Sequence, residues 1–235
     1  MNYLKQGLII FLLVLVSCNS QTLDLSTTNF SQTNQKQLEQ LKCSKVENQK
    51  GHYVVKEIGD DVNVQLEGNE TSTHYYLRTK EEVSQVAFTP YVIDDEIGIK
   101  LVSYQGKLAF ADFAILNEDT FEVLKYLIKE LGTPDQTFNT IAYKKDSPEV
   151  QLLLNNLEMG KSLKEVEDDY GDKMLTYPYQ NVWIKGDLIY QLTIGRGMET
   201  YSNTLIIISK KALEDKIIFG YHNPTKDPIL SKYLN

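Results

Sequence analysis

The chain has 235 residues, 42% of them apolar, and a formal net charge of −8 from 24 Lys and Arg against 32 Asp and Glu. That apolar share is enough for the core of one domain, or of two small ones sharing an interface, and it excludes a wholly disordered chain. The acidic balance lacks the basic face that gripping phosphate backbones requires, which excludes nucleic acid as a partner and a polybasic hold on anionic lipid.

The N-terminus places one cation, Lys5, before an apolar run over residues 8–16 that closes in Leu15-Val16-Ser17-Cys18. The run falls short of the roughly 20 residues that span a bilayer, and it ends in small and polar residues as a signal peptide does. Its last four residues, an aliphatic, a tolerant position, a small residue and Cys, resemble the lipobox of bacterial lipoproteins. The resemblance implies that residues 1–17 are removed, that Cys18 is diacylglyceryl-modified on sulfur and acylated on its new amine, and that acyl chains alone hold the protein to a membrane. Each buried methylene then contributes about 0.8 kcal/mol. Residues 18–235 retain 23 basic and 32 acidic side chains, a formal net of −9. With Cys18 lipidated, Cys43 is the only thiol left, so no disulfide staples the fold and packing must stabilise it.

Residues 19–34 are rich in Ser, Thr, Asn and Gln and read, with Cys18, as a lipidated flexible tether over 18–34. A globular domain is expected over 35–235, with a break between two subdomains, if there is one, near 135–147. Residues 35–45 suggest a short helix. Residues 52–58 and 62–66 alternate as strands around the turn residues Gly59-Asp60-Asp61, and Gly68-Asn69-Glu70 reads as a second break. A strand over 73–78 and a helical turn over 80–86 follow. Residues 97–104 and 107–115 form the clearest hairpin, around Gln105-Gly106, with a second arm apolar on both faces.

The best helix comes next: Asn117 as its cap, Glu118 and Asp119 at its positive end, Phe121, Leu124, Leu127, Ile128 and Leu131 on one stripe, and Gly132 and Pro134 as its stop. Residues 141–144 read as a strand, Pro148 opens a helix to Leu157, and Ser162-Leu163-Lys164-Glu165 matches a capping box for a further short helix. Strands are then expected over 181–185 and 188–194 around Gly186-Asp187, over 205–209 and over 217–221, with a helical turn at 210–215 and an irregular tail from 224. Two stretches share the outline of a hairpin followed by helix, 97–131 and 182–215, without residue identity that would make them a repeat.

None of the three histidines, His52, His74 and His222, stands in a metal-ligand spacing, and no nucleophile or phosphate-loop motif is present. Cys43 has no local partner for thiol chemistry. Glu165, Glu167, Asp168, Asp169 and Asp172 crowd together without the order of a calcium loop and read as a solvated face. No cofactor, no metal and no catalytic residue is therefore expected. The 15 Tyr and 8 Phe beside one Trp stand out. Tyr, Trp and Arg dominate binding surfaces, and a tight turn at Gly186-Asp187 would bring the approach from Tyr179 and the loop from Gly195 to one end of a hairpin, so that Tyr177, Tyr179, Arg196 and Tyr201 are expected to contact the partner with Trp183 supporting from beneath.

The expected fold is α+β, antiparallel β-hairpins packed against a few helices. The expected function is noncatalytic: an envelope lipoprotein on the periplasmic side of the outer membrane that binds a protein partner, an inhibitor or immunity protein being one form of this. Glycan capture by the tyrosines is the alternative from another class, and an envelope hydrolase is the third.

Overall fold

The computed structural model describes residues 22–58, 61–142, 148–196 and 201–218. Its strands in chain order are β1 Leu23–Asp24, β2 Ser44–Ile58, β3 Asp61–Leu77, β4 Val86–Ala87, β5 Ile99–Tyr104, β6 Lys107–Phe113, β7 Gln136–Ala142, β8 Lys164–Glu167, β9 Lys173–Lys185, β10 Leu188–Arg196 and β11 Tyr201–Ser209. The helices are α1 Gln35–Glu39, α2 Lys80–Val83, α3 Thr120–Leu131, α4 Pro148–Asn156 and α5 Lys210–Glu214. The antiparallel sheet packed against a few helices is there, and the strands dominate it: among the described residues only α3 and α4, at 12 and 9 residues, exceed two turns.

One antiparallel sheet runs β2-β3-β5-β6-β11-β10-β9-β7, so two meanders meet where β6 pairs with β11. β7 takes one edge of β9, and β8 takes the first residues of the other edge, ahead of β10. The Gln105-Gly106 turn has positive φ at both residues, 53° and 73°, the backbone that a two-residue hairpin with right-handed twist needs. Gly98 is required by contact: with φ at 82°, a Cβ there would stand 2.6 Å from the Leu77 carbonyl oxygen.

The sheet buries both faces. On the first lies the larger core, in which Leu101, Leu108, Ala111, Trp183, Leu192 and Ile207 pack under α1, α3, α4 and the N-terminal segment. On the second, Val102, Phe110, Val182, Ile189, Ile206 and Ile208 pack with Ala212 and Leu213 of α5 and with Ile217 and Ile218. α3 presents Phe121, Val123, Leu124 and Leu127 inward, as its apolar stripe demands, and Gly132 ends it with an N–H to the Ile128 carbonyl.

Several sequence expectations need correction. The tether over 18–34 is docked from Thr22 onward: β1 pairs in parallel with β4, and Leu23, Leu25 and Phe30 are all within the first core. Several of its polar residues close turns, with Asp24 Oδ1 accepting from the N–H and hydroxyl of Ser26 and from the N–H of Thr89. Burial opposes ionisation of Asp24, but these bonds from Thr89 and Ser26 hold its pKa below the ordinary value. Gly68-Asn69-Glu70 does not break β3, which runs through it opposite the register shifts of β2. The capping-box residues do not start a helix, because Lys164–Glu167 pairs with β9 as β8. Asn117 opens a 3-10 turn and α3 begins at Thr120, whose hydroxyl donates to the Tyr201 carbonyl. Ile217 and Ile218 are buried outside any strand. The tail from 224 and the turn residues Gly59 and Asp60 lie outside the described residues.

Candidate functional site

The aromatic surface expected around the late hairpin is instead part of the core. Tyr201 is 0% exposed and its ring meets those of Phe121 and Tyr177 edge-on, at 5.5 and 5.4 Å between centroids. Tyr177 is 3% exposed, and Trp183 is fully buried with Nε1 donating to the Gly132 carbonyl at 2.7 Å. Tyr179 is half-buried against the same core. Arg196 ends β10, its backbone paired with Tyr201, and its side chain lies outside what is described, as do residues 197–200. β9 begins at Lys173, ahead of Tyr177, so the tyrosines are sheet residues facing α3 and not an approach to it. Cys18 and His222 lie outside the described residues.

The remaining candidates are dispersed. His52 Nδ1 stands 3.2 Å from Glu70, on the β2–β3 hairpin. His74 is 2% exposed on the second face, with Nε2 at 3.1 Å from Ser72 Oγ; burial, aided by the nearby Lys100 ammonium, lowers its pKa to about 4. Burial pushes the Cys43 thiol up, the opposite of what a nucleophile needs. In the acidic segment, Glu165 pairs with Lys173 at 3.3 Å, while Asp168 Oδ1 accepts from the N–H groups of Tyr170 and Asp172. Among the described residues no three His, Cys, Asp or Glu converge as metal ligands do.

What the structure does assemble is a cleft of about 630 Å³ on the first face, where α3, the start of β7, β9 and the end of α4 meet. Leu124, Ile128, Pro134, Leu157 and Pro178 supply apolar walls; Thr137, Asn139, Asn156 and Asn181 supply hydroxyl and amide groups; Lys125, Lys161, Lys164 and Glu158 stand with them. Helix geometry places Leu124 and Ile128 four residues apart on one stripe, and Ile128, 41% exposed, is the member of that stripe left for the cleft. Asn181, 3% exposed, is held at the floor by the Thr137 hydroxyl and the Pro178 carbonyl, each at 3.4 Å. Lys161 pairs with Glu158 and Lys125 with Glu122, both at 2.6 Å.

Among its described residues the lining holds no histidine, no thiol and no pair of carboxylates; its titratable groups are three lysines and Glu158, which is ion-paired to Lys161. An apolar wall with convergent amides and hydroxyls binds and orients a guest. Sequence reasoning missed it because its members are scattered over residues 124–181 and form no binding motif; the apolar stripe of α3, one residue wider than a core contact requires, was the available signal. No protein family, no curated protein and no solved structure matches the chain.

Proposed function

We propose that the protein is a noncatalytic lipoprotein of the bacterial envelope, held by acyl chains on Cys18 to the periplasmic side of the outer membrane, and that it binds a protein partner through the cleft between α3 and β7. The observation that carries this reading is the lining of this cleft: apolar walls, neutral hydrogen-bonding groups and ammonium groups, with no histidine, no thiol and no pair of carboxylates among its described residues. Glycan capture finds less support here, since Tyr177, Trp183 and Tyr201 are buried and no aromatic side chain is among the described residues of the cleft. An inhibitor or immunity protein is one form this function takes.

With Cys18 acylated, only five peptide units separate the lipid from Leu23, so the docked N-terminal segment holds the domain within about 18 Å of the bilayer. The partner is met at the membrane. A photo-crosslinking amino acid placed at Asn139 or at Ser162 in living cells should give a discrete adduct with a protein, and one placed at Glu67 on the far hairpin should not. Adducts from Glu67 alone, or from none of the three, overturn the reading. Cys18→Ala should leave an unprocessed precursor that takes up no fatty-acid label; normal labelling of that variant removes the anchor.

A further inference from the structure

The two edges of the sheet are built differently. β2 carries Lys45, Glu47 and Lys50, places Asn48 and Gly51 at positive φ, and shifts register twice against β3. Charges and irregularities of this kind deter the addition of a foreign strand. β7, at the other edge, reads Gln-Thr-Phe-Asn-Thr-Ile-Ala: no charge, no proline, and Thr, Phe and Ile among its seven residues. It has one register shift, at Phe138, and no described strand pairs with its outer side. A natural sheet seldom leaves such an edge bare unless something pairs with it.

What lies beside the edge selects the occupant. Thr137 and Asn139 of β7 line the cleft, so a strand laid along β7 would send every second side chain over it. The charged groups of the lining are Lys125, Lys161, Lys164 and Glu158; Lys125 is paired with Glu122 and Lys161 with Glu158, which leaves Lys164 as a local excess of one positive charge in a mature chain whose formal net is −9. We propose that β7 is a strand-addition site for an extended segment of a protein partner in which acidic residues alternate with apolar ones, the acids over the lysines of the cleft and the apolar residues along the Phe138 side. Main-chain hydrogen bonds to β7 supply the affinity, and the alternating side chains supply the choice of partner. This rests on the partner-binding reading and narrows it to one chemistry and one mode.

The test uses the full mature lipoprotein in detergent and a fluorescent peptide, matched to β7 in length, that alternates valine with glutamate. It should bind, with a valine–lysine peptide roughly tenfold weaker or worse, and with affinity that falls as salt rises. Backbone amides of residues 136–142 that exchange freely in the unliganded protein should become protected when the glutamate peptide is added. Lys164→Glu, with its fold checked by circular dichroism, should weaken the glutamate peptide about fivefold or more and narrow the preference. Equal binding of the two peptides, no binding, or binding without protection of β7 overturns the proposal. Protection of β7 that appears without peptide and rises with protein concentration makes a second copy the occupant and overturns it as well. A partner cross-linked from Asn139 while β7 amides stay unprotected would leave the partner-binding function standing and remove only strand addition.

Discussion

Both faces of the sheet bury amide side chains, and two of these, Asn203 on the first face and Gln191 on the second, are held in opposite ways. On the first face Asn203 is 4% exposed and fully engaged: Nδ2 donates to the Ile115 carbonyl and to Thr120 Oγ1, and Oδ1 accepts from the Ile115 N–H, all at 2.9 Å. It ties β11 to the connection between β6 and α3 and so fixes where the main helix lands. On the second face Gln191, opposite Ile206 and Val182, is 0% exposed, and among the described residues neither its Oε1 nor its Nε2 has a partner. Nδ1 of the buried His74 on the same face is likewise unpartnered. A buried polar group that is satisfied specifies a fold, while one left unpaired costs about 1–3 kcal/mol. At Asn203 the first face therefore gains specificity, and at Gln191 the second carries a stored cost.

If that division is right, the largest losses follow from damage to the first face. Deleting residues 22–31 removes Leu23, Leu25 and Phe30 from the core, roughly 5–9 kcal/mol of burial, which is comparable to the whole stability of a domain. Such a chain should fail to melt cooperatively, whereas removing residues 19–21 should leave the melting temperature unchanged. Trp183→Ala comes next, at about 3–5 kcal/mol in denaturant unfolding, because it empties a fully buried site and strips the Gly132 carbonyl of its donor. Tyr201→Ala belongs with it. A folded Tyr201→Ala protein of wild-type stability would show that the ring is surface after all.

These same residues show where the sequence was legible. The β5–β6 hairpin, α3 and the β9–β10 turn could be read because turn chemistry and periodicity agree there with the final packing. The N-terminal segment could not: Leu23, Leu25 and Phe30 are too sparse to make a period, and their burial comes from a partner, Val86–Ala87, some sixty residues away. A capping box at Ser162 lost to the pairing of β8 with β9, tertiary structure overriding a local signal. Pro178 sits inside β9 opposite Asn139, where β7 shifts register, as bulges allow. Tyrosine was the least legible residue of all, since an apolar body with a polar tip suits a binding surface and a core equally well.

The second face can be probed by pH. His74 is neutral when folded, with a pKa near 4 against an ordinary value near 6.5, so the unfolded chain binds the extra proton first. Stability should hold above pH 6.5, fall through the window from 6.5 to 4 by up to about 3 kcal/mol, and level off below it as far as this group is concerned. The groups around the ring are Ser72 Oγ, the Lys100 ammonium and the Tyr76 ring, at 6.4 Å between centroids, and none is an anion that would hold a proton on it. Asp24 and Asp215, whose folded pKa values are lowered, lose their contribution only at more acidic pH. His74→Gln should remove most of the slope between pH 6.5 and 4 and leave the acid limb. An unchanged slope in that variant would mean that another group titrates there.

The smallest expected effect has the opposite sign and discriminates best between the faces. Gln191→Met keeps the length and nearly the volume of the side chain while removing both unpaired amide atoms, so the site keeps its packing against Val182 and Ile206 and sheds its desolvation cost. The variant should be more stable than the parent by about 1–2 kcal/mol, seen as a higher midpoint in urea at unchanged slope. Asn203→Leu, the corresponding change on the first face, should destabilise, because it leaves the Ile115 N–H and carbonyl buried without partners. The contrast holds only if the two substitutions move stability in opposite directions. A loss from Gln191→Met would mean that the amide is satisfied in solution, and the two faces would then be alike in how they hold a buried polar group.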